Sequence, residues 1–168
     1  MRTNAPMRTL LDGRFRPAES AVPPGDVRAL LAGGWVLGPH GTLLLADRWT
    51  GSAGPVRPDR IGSYEYEIND VHLSLDDLRG GDDLLPRAAA RTIDVARRLL
   101  RAGLRLPGSG TLTAVAAVHV DEDDELFDLQ GGRVRLFTRR GEHPSWFDDL
   151  ETFEQEALAL LDRSDIGD

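Results

Sequence analysis

Apolar and polar residues alternate through residues 111–139, TLTAVAAVHVDEDDELFDLQGGRVRLFTR. This period of two predicts three antiparallel strands, separated by an acidic loop and by a turn at Gly131-Gly132. A two-residue turn there sets Leu129 opposite Val134, so that apolar side chains meet on one face and charged side chains on the other. The pattern therefore predicts a two-faced sheet at the centre of the fold.

The predicted register separates a core face from a polar face. If residues 122–125 form a four-residue loop, the core face carries Leu112, Ala114, Ala116, Val118, Val120, Phe127, Leu129, Val134 and Leu136. The same register aligns His119, Asp128 and Arg135 in a row on the polar face, with His72 as a further candidate on a neighbouring strand. A functional site on the sheet is expected on this second face.

Elements before the central sheet follow from shorter patterns. A short helix is predicted at 26–31, and a hairpin at 35–47 around a Gly-Pro-His-Gly turn. Residues 64–75 alternate as a strand, but their phase changes near Asn69-Asp70. Because side chains alternate with period two, this change predicts a β-bulge at that point.

Two amphipathic helices are predicted, at 84–102 and from Ser145 onward, where Asp148 completes a capping-box pattern. The outer face of the first helix is basic and includes Arg87, Arg91 and Arg98. The outer face of the second helix is acidic and carries Asp148, Asp149, Glu151, Glu156 and Asp162. Both faces are candidate partner-binding surfaces, since opposite charges steer association.

The predicted order is α-βββ-α-βββ-α, without the strand–helix alternation of a parallel sheet. We expect an α+β fold, a single domain whose antiparallel sheet has about six strands, with helices packed mainly on one face. Residues 1–25 are expected to form a weakly held arm, residues 26–164 the domain, and residues 165–168 a frayed end. This order is similar to that of type III secretion chaperones, small acidic dimeric proteins that hold an unfolded segment of a partner, which implies a binding role.

Two absent residue types narrow the possible chemistry. The chain has no cysteine, which excludes thiol nucleophiles, disulfides and thiolate-ligated metal sites. Its 20 basic residues are all arginines, so Schiff-base and phosphate-binding lysines are excluded as well. No apolar run approaches the ~20 residues that span a bilayer, and the first twenty residues lack the apolar stretch of a signal peptide. We therefore expect a cytoplasmic protein without membrane contacts.

The net charge of −8 is concentrated at one end of the chain. Residues 141–168 carry nine carboxylates against one arginine, which equals the whole imbalance. Phosphate backbones are repelled by such a surface, so nucleic-acid binding is not expected. The row of arginines at 87–101 lacks the interleaved aromatic residues of single-strand binders.

The row of His119, Asp128 and Arg135 is the strongest candidate for chemistry. A carboxylate beside an imidazole orients it and raises its basicity for proton transfer. The alternative is a solvated polar row without a role in catalysis. The spacing of His119 and Asp121 also matches a histidine–carboxylate iron site that His72 or His143 would complete, but we expect no metal and no cofactor.

These observations favour a non-catalytic protein-binding module of the immunity, chaperone or adaptor type. The acidic C-terminal helix and the polar sheet face would engage a partner protein, and a second copy of the chain is an alternative partner. The rival hypothesis is a small α+β enzyme, of a hydrolase or isomerase kind, with His119 or His72 as general base in a pocket between sheet and helix.

Overall fold

The computed structural model describes residues 1–12, 25–51, 56–79, 83–120, 131–140 and 145–167. Its helices are α1 (Ala5–Leu11), α2 (Gly25–Gly33), α3 (Ile61–Ile68) and α4 (Leu84–Gly103). Its strands are β1 (Arg2–Thr3), β2 (Trp35–Leu37), β3 (Leu43–Leu45), β4 (Asp70–Leu73), β5 (Leu112–His119), β6 (Gly132–Thr138) and β7 (Glu156–Leu161). The predicted α+β class is confirmed.

The main sheet has five antiparallel strands in the order β1-β7-β5-β6-β4. The predicted hairpin at 35–47 is confirmed as a separate two-stranded sheet of β2 and β3, closed by a 3-10 turn at Pro39–Gly41. At the centre of the main sheet, Ala116 of β5 pairs with Val134 of β6 on one side and with Ala159 of β7 on the other. Strand β5 is therefore the central strand of the main sheet.

One face of the sheet packs against α1, α2 and α4 and forms the larger core. Its residues from the main sheet are Val71, Leu73, Leu112, Ala114, Ala116, Val118, Val134, Leu136, Ala157, Ala159 and Leu161. Helix α4 contributes the predicted apolar stripe, including the fully buried Ala89, Ile93 and Ala96. Alanines on both sides let the helix approach the sheet closely, and the predicted core face of β5, β6 and α4 is confirmed over the described residues.

The strand predicted at 64–75 is wrong in its first half. Residues 61–68 form helix α3, and strand β4 begins only at Asp70. The buried residues Ile61, Glu65 and Asn69 are four apart, which places them on one side of a helix. Two of these are polar and buried through tertiary hydrogen bonds, so the alternating sequence pattern was misleading and no β-bulge forms at Asn69.

The helix predicted from Ser145 is also wrong. Short 3-10 turns cover Ser145–Asp148 and Leu150–Thr152, and strand β7 follows at Glu156. Residues 157–161 are buried at every position because β7 lies between β1 and β5 and is covered on both faces. A short continuous apolar run of this kind fits a central strand as well as a helix. The C-terminal helix on which the resemblance in element order depends is therefore replaced by a strand.

The predicted three-stranded register around Gly131-Gly132 is wrong as well. Strand β6 pairs with β5 on one side and with β4 on the other, so that Val134 lies between Ala116 and Val71. At Val134 both edges of β6 are thus occupied by other strands. Residues 121–130, including Asp128, lie outside the described residues.

Residues 1–25 were expected to form a weakly held arm, but residues 1–12 pack against the sheet. Strand β1 pairs with β7, and Met7 of α1 is fully buried. The buried side chain of Asn4 accepts hydrogen bonds from the amides of Met7 and Leu158, at 3.1 and 2.8 Å. Its Nδ2 donates to the carbonyls of Phe153 and Glu156, at 2.9 and 2.6 Å. At the other end of the chain, Ile166 in the expected frayed end is buried.

Helix α3 links β3 to β6 through two buried polar side chains. The Glu65 carboxylate accepts from the amide of Leu43 at 2.8 Å, and from the amide and hydroxyl of Thr138 at 2.6 Å each. Asn69 accepts from the amide of Leu45 at 2.8 Å and donates to the carbonyls of Leu43 and Leu136, at 2.8 and 3.0 Å. We call this pair the α3 clasp. It satisfies backbone groups that a strand ladder would otherwise pair.

We expect Glu65→Gln and Asn69→Ala each to lower the free energy of unfolding by roughly 2 to 4 kcal/mol. The glutamine turns an N–H group toward backbone donors, and the alanine leaves buried amides and carbonyls without partners. Urea denaturation followed by circular dichroism measures the change. Glu67→Gln, an exposed carboxylate on the same helix, is the matched control. Equal midpoints for Glu65→Gln and Glu67→Gln would show that the clasp does not stabilise the fold.

Candidate binding pocket

The second face of the main sheet carries a smaller apolar cluster. Its buried members are Val115, Phe137, Phe147, Leu150, Leu158 and Leu160, with Tyr66, Ala117, Trp146 and Phe153 packed against them. Tyr66 comes from α3, and the remaining cover comes from residues 146–153. Asp70, Arg133 and Arg135 lie on this face as well. Arg135 pairs with Val115 on one side and Asp70 on the other, and Arg133 pairs with Ala117. Directly paired residues of adjacent strands point to the same face of a sheet.

A pocket of about 380 Å³ opens on this face. Its lining residues are Tyr66, Val115, Ala117, Arg133, Arg135, Trp146, Phe153, Glu156 and Leu158. Small apolar side chains of β5 and β7 form the floor, three aromatic rings form walls, and two guanidiniums and one carboxylate supply the polar groups. Pockets of this size, mostly apolar with few polar groups, are typical of binding sites.

The aromatic walls are fixed by rings beneath them. Phe147 is fully buried and stacks on Phe137 with ring centroids 5.0 Å apart. Trp146 contacts Tyr66 and Phe153 in edge-to-face arrangements, at 6.2 and 5.2 Å between centroids. Aromatic rings prefer this geometry, and it leaves Trp146 between the two other walls of the pocket.

An Asp–Arg–Tyr network forms the polar wall. Asp70 and Arg135 are paired residues on adjacent strands, and their Oδ2 and Nε atoms are 3.2 Å apart. The other carboxylate oxygen of Asp70 lies 3.4 Å from Nε of Arg133. Nη1 of Arg135 donates to the Tyr66 hydroxyl at 2.7 Å, and the guanidinium carbon lies 4.7 Å from the Tyr66 ring centroid. Asp70 therefore forms ion pairs with two arginines that both line the pocket.

Burial governs the protonation of this network. Burial raises the pKa of the Tyr66 phenol above its ordinary value, and the charge of Arg135 only partly offsets that effect. Burial of the Arg135 guanidinium acts to lower its pKa, but the hydroxyl of Tyr66 and the carboxylate of Asp70 outweigh burial and raise it. At neutral pH the tyrosine is thus a neutral partner beside a permanent positive charge.

Arg133 and Glu156 keep polar groups available to a ligand. Among the residues that the structure describes, Arg133 forms an ion pair with Asp70, with its Nε 3.4 Å from the carboxylate, and that buried Nε has no hydrogen-bond partner. No hydrogen bond joins its Nη groups to a described residue. The side-chain carboxylate of Glu156 likewise has no donor within the described part of the chain. The pocket therefore contains N–H donors of Arg133 and a carboxylate acceptor of Glu156 that form no hydrogen bond with a described residue.

The predicted row of His119, Asp128 and Arg135 is assembled only in part. Arg135 lies in the pocket, where the carboxylate beside it is Asp70. His119 is 7% exposed at the end of β5, opposite Glu156, and is not among the pocket-lining residues. Asp128 lies outside the described residues.

His72 lies apart from the pocket. It is exposed on β4 and lines a separate hollow of about 140 Å³ with Asp47 and Arg48. Asp121 and His143 of the considered iron site lie outside the described residues, and within the described part no group of three or more His, Asp or Glu side chains could hold a metal ion. A general-base role for His119 or His72 stays a prediction.

The arginines predicted to bind a partner contact acidic residues of the same chain. Arg91 pairs with Asp77 through two hydrogen bonds of 2.6 Å, which lower the pKa of that carboxyl group. Arg98 contacts Asp94 at 2.8 Å, and Arg87 contacts Asp83 at 3.5 Å. These side chains are thus partly neutralised on the surface of α4, which leaves their role in partner binding a prediction.

The predicted acidic residues are dispersed rather than aligned on one helix. Glu151 contacts Arg8 at 2.7 Å, and Asp162 caps the turn at Arg163–Asp165. Asp148 and Asp149 are exposed next to the aromatic wall, and Glu156 lines the pocket. Within the described residues, the part of the acidic segment that borders the pocket therefore ends at Glu156, the first residue of β7.

Most pocket residues were missed from the sequence for identifiable reasons. Tyr66 belonged to a stretch interpreted as a strand, and Trp146 and Phe153 belonged to a stretch interpreted as a helix. Arg133 shares the parity of Arg135 on β6, which was the one available signal. The contribution of Asp70 depends on the pairing of β4 with β6, which no local pattern indicates.

No protein-family model matches the chain, and neither a curated protein nor a solved structure matches it. In the described part of the chain, the helices are too short or too polar to cross a membrane.

We expect the free energy of unfolding to fall as the pH rises above about 10, because the unfolded chain releases the Tyr66 proton at its ordinary pKa and the folded chain does so at a higher pH. The neutral phenol stabilises the fold fully below the ordinary pKa, and this contribution is lost toward the raised pKa. The chain contains no lysine or cysteine and only two tyrosines, so few other groups titrate there. Urea midpoints between about pH 9 and about pH 11 measure the slope.

Tyr66→Phe should reduce this slope. Tyr64→Phe removes a phenol from the same helix but keeps the contact between Tyr66 and Arg135, so it should keep the part of the slope that Tyr66 causes. An unchanged slope in Tyr66→Phe would contradict the assignment to Tyr66.

Proposed function

We propose that the protein is a non-catalytic module that binds a partner protein, with the pocket on the second sheet face as the centre of the interface. The observation that carries the proposal is the composition of the pocket, which combines tryptophan, tyrosine and two arginines around a concave apolar floor. These residue types dominate the energetic centres of protein interfaces. An anchor side chain of the partner would fill the pocket.

The acidic surface beside the pocket supports a basic partner. Residues 146–156 provide two of the three aromatic walls, Trp146 and Phe153, and also carry exposed acidic residues: Asp148, Asp149, Glu151 and Glu154. Arg8 and Arg139 lie within reach of Glu151 and Asp148, at 2.7 and 3.6 Å, and offset part of this charge. The remaining negative charge would increase the association rate with a basic surface, an effect that salt screens.

A pull-down with matched variants tests this proposal. The immobilised chain is exposed to a lysate of the cells that produce it, at low and at high salt, and bound proteins are identified by mass spectrometry. We expect Trp146→Ala to reduce recovery of the partner about tenfold or more, since it removes a central anchor surface. Leu37→Ala, which truncates a 50% exposed apolar side chain on β2, is the control and should recover the partner normally.

Circular dichroism and thermal melts confirm that both variants fold. Recovery of the same proteins by the wild type and by Trp146→Ala, or recovery that is insensitive to salt, would contradict the proposal. Sedimentation of the purified chain distinguishes a second copy as the partner, because a dimer that Trp146→Ala dissociates places the pocket in a homodimer interface.

A further inference from the structure

We propose that the pocket recognises the C-terminal residue of a partner protein, an apolar residue whose free carboxylate binds Arg133. The proposal rests on the proposed function and specifies the chemical group that enters the pocket. Its observational basis is the juxtaposition of the available Nη donors of Arg133, the aromatic walls and the available Glu156 carboxylate in one cavity of about 380 Å³.

The Nη groups of Arg133 suit an acceptor with two oxygens. The Asp70 carboxylate lies 3.4 Å from Nε of Arg133 and 3.2 Å from Nε of Arg135, and no described residue accepts a hydrogen bond from the Nη groups of Arg133. Nη1 of Arg135 is already bound to Tyr66. A carboxylate accepts two parallel hydrogen bonds from a guanidinium, and such a pair is stronger and more directional than a bond to a neutral carbonyl.

The floor and walls suit an apolar group attached to that carboxylate. Val115, Ala117 and Leu158 form an apolar floor between the strands, and Trp146 and Phe153 stand at its sides. An aspartate or glutamate side chain has a carboxylate but little apolar surface. A C-terminal leucine or phenylalanine carries both groups on one residue.

Glu156 distinguishes a peptide terminus from a simple organic acid. Its carboxylate lines the same pocket and has no donor among the described residues. A second anionic group facing it would be repelled unless a donor lies between them. The backbone N–H of a C-terminal residue is such a donor, and arylalkanoic acids lack it.

The charge of the site is compatible with an anion. Two guanidiniums and one carboxylate line the pocket, and Asp70 lies behind the guanidiniums at 3.2 and 3.4 Å. The opposite possibility is a cation held by Glu156 and the aromatic rings. The Tyr66 ring, however, is already in contact with the Arg135 guanidinium, which would repel a second cation there.

The test is calorimetric titration of the whole chain with defined short peptides. The probes are acetyl-glycyl-glycyl-phenylalanine and its leucine counterpart as free acids, the same peptides as C-terminal amides, 3-phenylpropionate, and phenethylammonium. We expect the free-acid peptides to bind about tenfold or more tightly than the amides, since only the acids form charge-assisted hydrogen bonds. Phenylpropionate should bind more weakly than the phenylalanine peptide because it cannot donate to Glu156.

Arg133 variants assign the discrimination to its fork of donors. Arg133→Gln should abolish the preference for acid over amide, and Arg133→Lys should retain only part of it, since lysine keeps the charge without the paired donors. Arg105→Gln, an exposed arginine after α4, is the matched control and should keep the full preference. Equal affinity of acids and amides for the wild type, binding of neither at millimolar peptide, or preference for phenethylammonium overturns the proposal.

These outcomes are separable from failure of the proposed function. If recovery of the partner depends on Trp146 but acids and amides bind equally, the protein-binding function stands and the pocket recognises a group other than a C-terminal carboxylate. If the pocket prefers acids but no partner protein is recovered through it, the pocket is a carboxylate-binding site and the proposed protein-binding function is contradicted.

Discussion

A buried carboxylate and a buried amide on one side of α3 connect parts of the fold that do not otherwise pair. Through the α3 clasp, β3 is joined to β6 by side chains instead of a backbone ladder. Gly62 permits the close approach, because a Cβ at that position would lie 2.9 Å from the carbonyl oxygen of Thr138. Each of these backbone groups would be costly if buried without a partner, so helix, hairpin and sheet depend on two side chains.

The clasp also determines the polar wall of the pocket. Tyr66 follows Glu65 in the chain, and a step of one residue turns its ring from the clasp side of α3 toward the second sheet face. Asp70 follows Asn69, whose hydrogen bond to the carbonyl of Leu136 fixes where β4 begins beside β6. Because β4 begins there, Asp70 meets Arg135. Loss of the clasp would therefore alter the pocket as well as stability.

The sequence predicted elements whose burial follows a single local period. Helix α4, the β2–β3 hairpin and the core face of β5 and β6 were correct because their apolar spacing agrees with the final packing. The predictions for residues 61–68 and 156–161 were wrong for opposite reasons. The first hides polar side chains that only tertiary partners satisfy, and the second is apolar at nearly every position, which erases the period. Register between distant strands, which brings Asp70 to Arg135, has no local signal at all.

For the same reason, the polar sheet face was predicted correctly in part. The pattern located Arg135 on a second face, but the covering aromatic residues came from segments whose elements were wrong. A solvated polar row was one of the two alternatives for this face, whereas the described structure has Arg133 and Arg135 beside a partial aromatic cover. The difference matters physically, because a guanidinium in a partly dehydrated pocket interacts with a ligand more strongly than one in water.

Both pocket walls are anchored by buried polar groups, which bears on how the site would bind. The α3 clasp holds the Tyr66 wall, and Asn4 holds the opposite wall through the carbonyls of Phe153 and Glu156. A cavity fixed from both sides loses little conformational entropy when it is filled, so more of the contact energy appears as affinity. The net charge of −8 acts differently, since exposed charges are screened beyond about 8 to 10 Å at physiological salt. Long-range charge would then control how fast a partner arrives, and the contacts of Arg133, Trp146 and Glu156 would control how long it stays.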